Sequence, residues 1–248
     1  MTPDTFRHSP EILPGRRLRL EKIHARHAPA LYASVRRSMP ELDYIAWGHQ
    51  RWDEEAARRH CESTREWILT EGEGVSYLAF EYDTSTYVGC VDLHSVDFGV
   101  PRCQIGFVGC SRQRGRGLVR EAALTLMDWA WRQGMARIEV WCDVRNTRSL
   151  AFAESLGMLR EGLMRQVERD GRGLLCDHHL LARLASDPVP VVDPEQRGRP
   201  FRFRALGTLS ARHFINASVQ LVPAAAVPGF GADGQVLLLW GTGAYRAS

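Results

Sequence analysis

Residues 112–118 read RQRGRGL, and this stretch is the most informative feature of the chain. It lies between a β-like run, Cys103 to Val108, and an amphipathic helix pattern that begins at Leu118. Because Gly115 and Gly117 carry no side chain, the backbone there can approach a ligand closely. The helix that follows offers its unpaired first-turn N–H groups to an anion. The order of strand, glycine loop and helix therefore predicts a diphosphate site, with a simple turn as the alternative.

The charges and spacing of this loop narrow the choice of ligand. Arg112, Arg114 and Arg116 place positive charge around it. It lacks the G-x-x-x-x-G-K-[ST] pattern of nucleoside triphosphate loops and the third glycine of a Rossmann G-x-G-x-x-G. The pattern that remains is R-x-x-G-x-G.

This pattern, with Arg112, Gly115 and Gly117 at its fixed positions, resembles the acetyl-CoA loop of the Gcn5-related N-acetyltransferases (GNAT). A second resemblance follows in the same order as in that family, with Asn146 and Ser149 in N-x-x-[SA] and then Leu156-Gly157-Met158. Two motifs in order are far more specific than one.

The segment from Leu159 to Leu184 resembles the Rim-type branch, which acetylates N-termini of ribosomal proteins. The resemblance covers residues 14–185 and implies an α/β GNAT fold, with a mixed central sheet, a splayed strand pair and flanking helices. We expect residues 1–13 to form an N-terminal arm, 186–200 a proline-rich linker, and 201–248 a C-terminal extension of unassigned role.

Hydrophobic periodicity places the other elements. Asp53 is a candidate N-cap for a helix that ends near Gly72, and Gly134 suits the C′ position of the helix that begins at Leu118. Asp170-Gly171 divides a hairpin. Further strands are predicted at 18–23, 75–82, 87–93 and 136–142.

Bulk properties favour an intracellular enzyme. The 248 residues carry a net charge of +3, too small to require a nucleic-acid partner. Six cysteines without C-x-x-C spacing read as free thiols. With neither a signal peptide nor a membrane-length apolar run, we expect a cytoplasmic protein. His178 and His179 alternate across a strand and cannot both face one ion, so we expect no metal.

The resemblance implies how acetyl-CoA binds. Backbone N–H groups at Phe107, Val108 and Gly109 would meet the acyl carbonyl, where fixed dipoles stabilise developing negative charge. The loop that ends at Leu118 would hold the pyrophosphate, and Asn146 would bond the pantetheine amides. For Asn146 an N-cap role is the alternative, and the two roles are compatible.

Two catalytic residues also follow from the resemblance. Many family members place a tyrosine acid where this chain has Ala153, and the Rim-type enzymes similarly lack it. Ser149 then occupies the position of the acid that protonates the leaving thiolate, and Glu168 that of the group that handles the amine proton. The alternatives are a first-turn helix serine and a solvated strand charge.

An early aromatic segment is a candidate acceptor site. Tyr44, Trp47, His49 and Trp52 are positioned to clamp an amine or peptide, with core packing as the alternative. His94 can relay a proton or be structural.

These features predict an acetyl-CoA-dependent N-acetyltransferase that acts on a primary amine by direct attack in a ternary complex. A protein or peptide α-amine is the first hypothesis for the acceptor, because its pKa of about 7.7 to 8 leaves some of it neutral at pH 7. Aminoglycoside or polyamine acetylation is the alternative among enzymes. A non-catalytic module that binds RNA on a ribosome is the alternative of another class. A homodimer is possible.

Overall fold

A computed structural model describes residues 1–38, 42, 44–45 and 52–188. The predicted positions Trp47 and His49, most of the linker and the whole extension 201–248 lie outside these residues. The described helices are α1 (Pro3–Arg7), α2 (Ala28–Ser38), α3 (Glu54–Thr70), α4 (Leu118–Arg132) and α5 (Thr147–Ser155).

The strands form one eight-stranded sheet in the order β1-β2-β3-β4-β5-β6-β8-β7. Their bounds are β1 (Ile12–Pro14), β2 (Leu18–Lys22), β3 (Val75–Glu81), β4 (Tyr87–Asp97), β5 (Arg102–Gly109), β6 (Arg137–Asp143), β7 (Leu159–Arg169) and β8 (Leu175–Leu184). Among the described strands, only β5 and β6 pair in parallel, so the sheet is mixed, as predicted. The parallel pair requires a crossover, which α4 supplies.

Helix α4 carries the core. Its buried stripe includes Leu118, Ala122 and Leu126, each at most 1% exposed, and it packs against β2, β4 and β5. Gly134 follows it with φ of +93°, which confirms the predicted C′ glycine. The Asp53 carboxylate accepts from the Ala56 N–H at 2.8 Å, which confirms the predicted N-cap of α3.

The first thirteen residues contribute to the core rather than only trailing from it. Phe6 of α1 is fully buried and makes an edge contact with Trp129 of α4, with ring centroids 5.8 Å apart. Strand β1 pairs with β2. A five-residue helix that opens on Pro3 is too short for a periodic signal, which is why the sequence predicts only an arm here.

We predict that the chain folds and acts without residues 189–248. Each strand and helix given above ends before Pro188, and the β8 end is closed locally, because Asp187 accepts from the Leu184 N–H at 2.8 Å. A chain that ends at Pro188 is therefore expected to keep one cooperative melting transition and full turnover. Loss of either on truncation would show that the extension belongs to the working domain.

Candidate active site

Strands β5 and β6 pair and then separate. Their pairing is restricted to Arg102–Gln104 opposite Arg137–Glu139, although β5 runs on to Gly109 and β6 to Asp143. This is the predicted splayed pair. The gap leaves one edge of β5 without a strand neighbour beyond Gln104.

The edge of β5 directs N–H groups into this gap. The Cys110 N–H donates to the Val88 carbonyl on β4 at 2.8 Å. Because bonding alternates along an antiparallel pair, the N–H groups of Phe107 and Gly109 point away from β4, towards β6. That of Val108 points towards β4 by the same rule. Of the three positions that the sequence suggests, Phe107 and Gly109 can therefore donate to a ligand in the gap.

The glycine loop has an open backbone. Gly115 and Gly117 have φ of +77° and +69°, a conformation that favours glycine. A Cβ at Gly115 would meet nothing within 4 Å, and one at Gly117 only Arg17 at 3.7 Å. Gly117 is also the N-cap of α4 and provides no side-chain acceptor, so no cap occupies the first-turn N–H groups. An anion can approach them directly.

The arginines of the loop divide into two sets. Arg112 and Arg114 are exposed. Arg116 instead forms a bidentate ion pair with Glu81 on β3, at 2.7 and 2.8 Å, and the Arg116 guanidinium lowers the pKa of that carboxyl. Arg17 joins the Arg116 carbonyl to Glu121 of α4. Arg116 therefore fastens the loop to the sheet while the other two supply charge.

A cavity of about 880 Å³ extends from the gap between β5 and β6. Phe107, Val108, Asn146 and Ser149 line it together. The Asn146 side chain accepts from the Ser149 N–H at 3.0 Å, so Asn146 does cap α5, while its remaining donors are left for other partners. Ser149 is half-buried in the first turn of that helix, at the cavity wall.

Glu168 follows an irregularity in β7 and lines the cavity. The register with β8 shifts between Met164 and Glu168, where Gln166 has φ of +50° and its N–H donates to Asp177 at 2.8 Å. The Glu168 carboxylate then lies 3.6 Å from Nδ1 of the buried His178, with its side chain 49% exposed. The carboxylate is thus accessible from solvent and from the cavity.

A group of potential metal ligands lies beside it. One ligand atom from each of Asp143, Cys176 and His178 lies within 4.8 Å of the others. Both Asp143 oxygens already accept from Arg145, at 2.5 to 3.2 Å, and Arg145 also bonds Asp170 at 2.8 Å. The guanidinium supplies the positive charge that the buried carboxylate needs, so this arrangement is explained as an ion-pair network.

The described acceptor candidates also line the cavity. The Cζ atom of Arg145 lies over the Tyr44 ring, 5.7 Å from the ring centroid, and Tyr44 lines the cavity. Trp52 makes an edge contact with His60 of α3, with centroids 5.5 Å apart. Trp67 of α3 adds a further aromatic ring. Aromatic faces of this kind suit a cation or an extended peptide.

Sequence reasoning missed one lining residue, Asp92, which acts together with His94. Asp92 on β4 accepts from Nδ1 of His94 at 2.7 Å, and both side chains face the cavity. The signal was available, because residues two apart on a strand share a face. The sequence prediction of a proton relay names His94 without Asp92.

Comparison with known proteins agrees with this geometry. The acetyltransferase (GNAT) domain family matches residues 17–159. An uncharacterised N-acetyltransferase, p20, from Bacillus licheniformis is 27% identical over 118 residues, which are 47% of this chain and 66% of that protein. The chain thus spans just under two thirds of that curated relative.

Two solved structures share the fold. RimL, a ribosomal L7/L12 α-N-protein acetyltransferase in complex with coenzyme A, has a TM-score of 0.65 and 25% identity, over 70% of this chain and 98% of that one. The microcin C7 self-immunity acetyltransferase MccE, in complex with acetyl-CoA and AMP, has a TM-score of 0.63 and 19% identity, over 68% and 92%. Within the described residues, no helix is both long and apolar enough to cross a bilayer.

The chain belongs to the GNAT acetyltransferase family, and its structural neighbours support the Rim-type branch.

Proposed function

We propose that this protein is an N-acetyltransferase that moves the acetyl group of acetyl-CoA to a primary amine, and that the amine is the α-amine of a protein or peptide. One observation carries the proposal: a single cavity joins the splayed edge of β5, Ser149 of α5 and Glu168 of β7. Thioester, acid and carboxylate can therefore meet in one place.

The cosubstrate fits the cradle and the gap. The pyrophosphate would bind the open N–H groups of residues 114–118, with Arg112 and Arg114 supplying charge. Pantetheine amides would bond Asn146 and the free edge of β5. The acyl oxygen would accept from Phe107 or Gly109, whose fixed dipoles stabilise charge better than mobile water. Two neighbouring structures were solved with coenzyme A or acetyl-CoA, which supports this cosubstrate.

The lining of the cavity favours a cationic acceptor. Among the described residues that line it, none is a lysine or arginine, and the carboxylates of Asp92 and Glu168 lie beside the imidazoles of His94 and His178. A protonated amine would be attracted, whereas a phosphorylated acceptor would be repelled. The Trp52 ring adds to the attraction, whereas the Tyr44 ring already meets the Arg145 guanidinium. We propose that Trp47 and His49 belong to the same acceptor surface, as the sequence suggests.

The chemistry favours an α-amine over a lysine. At pH 7 an α-amine of pKa about 7.7 to 8 is appreciably neutral, whereas a lysine of pKa about 10.4 is not. Ser149 would protonate the leaving thiolate, and Glu168 would take a proton from the nitrogen after attack. Ala153, fully buried in the core, cannot supply the acid that a tyrosine provides in other members.

A polyamine or aminoglycoside is the second candidate, because an acidic cavity suits any polycation. A cytoplasmic location stays a proposal, in keeping with six cysteines that are all unpaired.

An acetyl-transfer screen tests this function. The acceptors are peptides with a free N-terminus and no lysine, the same peptides with a blocked N-terminus and one lysine, and polyamines and aminoglycosides. Thiol release and the mass of the product are measured. We expect the free-N-terminus set to be acetylated fastest. Faster transfer to polyamines would move the assignment to the second candidate, and no transfer to any amine would refute the proposal.

A further inference from the structure

Strand β4 ends its regular pairing at a histidine–carboxylate pair inside the cavity. The Asp92 carboxylate accepts from Nδ1 of His94 at 2.7 Å, and the register with β5 shifts directly after His94. The two side chains are 33% and 42% exposed, and both line the cavity. They are thus open to a ligand rather than sealed in the core.

The fold makes room for this pair. Gly106 lies opposite Asp92 in the β4–β5 register. A Cβ at Gly106 would lie 2.4 Å from one Asp92 oxygen and 2.8 Å from the other. No side chain larger than hydrogen fits there while the carboxylate keeps its place. The glycine is therefore part of the device that orients Asp92.

The hydrogen bond fixes the state of the imidazole. Since Asp92 takes the Nδ1 proton, neutral His94 carries its lone pair on Nε2. A histidine oriented by a carboxylate is a common arrangement for proton transfer.

The groups around His94 set how strongly it binds a proton. Burial lowers the pKa of His94. Two kinds of interaction outweigh it and raise the pKa above its ordinary value: side-chain hydrogen bonds with Asp92 and with Gln104 on β5, and the charges of Asp92 and of Glu168 on β7. His60 on α3 lies near Asp92, and its own burial lowers its pKa, so it adds little positive charge. Because its pKa is raised, neutral His94 is a stronger proton acceptor than an ordinary histidine.

We propose that His94, oriented by Asp92, is a second catalytic residue, whose Nε2 accepts the proton that the acceptor ammonium must lose before it attacks. This rests on the proposed function. Glu168 alone does not complete the proton inventory, because two protons leave the nitrogen of an ammonium that becomes an amide.

The step balances as follows. His94 takes the first proton and passes it to water, which leaves a neutral amine. The nitrogen attacks the acetyl carbonyl carbon, and the new C–N bond forms. Glu168 takes the second proton from the nitrogen, the C–S bond breaks, and the CoA thiolate leaves with a proton from Ser149. The proton on Glu168 then passes through water to Ser149 and restores its hydroxyl. The nitrogen has lost two protons, the sulfur has gained one, and one has entered solvent.

Replacement of His94 by asparagine tests the proposal, because asparagine can keep the bond to Asp92 but has no titrating nitrogen. With an α-amine peptide we expect kcat/KM to fall about 100-fold near pH 7, and the loss to shrink towards about pH 9, where solvent supplies neutral amine. Melting temperature and acetyl-CoA affinity should stay unchanged. His8→Asn, an exposed histidine outside the cavity lining, is the matched control.

A milder variant separates a proton role from packing. Asp92→Asn removes a cause of the raised pKa of His94, so the acid limb of kcat/KM should move to lower pH. Nitrogen-15 spectra of labelled histidine, wild type minus His94→Asn, should show the proton of neutral His94 on Nδ1. A proton on Nε2 would refute the assignment without any activity measurement.

These experiments distinguish a failure of the His94 proposal from a failure of the proposed function. If wild type transfers acetyl groups and His94→Asn matches it near pH 7, or loses the same factor at every pH, the role of His94 is overturned and the proposed function stands. If wild type acetylates no amine, both are overturned.

Discussion

Replacement of Gly117 by aspartate is expected to abolish acetyl-CoA binding. Gly117 has φ of +69° and no Cβ where the phosphate must approach the first-turn N–H groups of α4. Aspartate adds both bulk and a negative charge at that point. If each effect weakens binding at least about tenfold, the dissociation constant rises about 100-fold or more, as calorimetry would measure.

Two further variants control for other causes. Gly173→Asp imposes the same substitution at another glycine with positive φ, +80°, and open space around it, but in the β7–β8 turn. Gly173→Asp should bind acetyl-CoA with the affinity of the unsubstituted protein. Gly117→Asn has the bulk without the charge and should lose less. A negative charge at the start of α4 interacts favourably with the helix dipole. Unfolding of α4 would therefore not explain the loss of acetyl-CoA affinity. Undiminished affinity in Gly117→Asp would mean that the cradle is misplaced.

Replacement of Ser149 by alanine is expected to lower kcat by about 100-fold, the lower end of the usual effect of a general acid. The CoA thiol is a fair leaving group by itself, which argues for that end. Acetyl-CoA affinity should change little, because the proton donation matters mainly in the transition state. Alanine is also a good helix former, so α5 should persist.

Ser155→Ala in the same helix is the control, since the Ser155 hydroxyl donates to the Phe152 carbonyl at 2.6 Å and does not line the cavity. It should keep nearly full kcat. A Ser149→Ala loss of less than about threefold would be an ordinary repacking effect and would leave water as the proton donor.

Local sequence patterns were enough to predict the part of the site that would bind acetyl-CoA. The loop, the start of α4 and the cap at Asn146 depend on residues close in the chain, so spacing alone identifies them. The splayed pair was implied by the resemblance and is confirmed by where the β5–β6 ladder stops.

The acceptor side depends on contacts between distant strands. A register shift around Gln166 places Glu168 opposite Cys176 of β8, and the sequence of β7 alone cannot predict that shift. The room for Asp92 comes from Gly106 on another strand. Phe6, 0% exposed, lies in a helix too short to show a period. Each of these facts requires the register of the sheet.

Direct transfer of the acetyl group from CoA to the acceptor amine can be tested in a quenched reaction with acetyl-labelled CoA. Free thiol, acetylated amine and acetylated protein are measured in the same sample. We predict that thiol and acetylated amine appear together, one for one, and only when an acceptor amine is present, with no label on the protein. Thiol release without an acceptor, label held on the protein, or no acetylated amine would contradict direct transfer in this cavity.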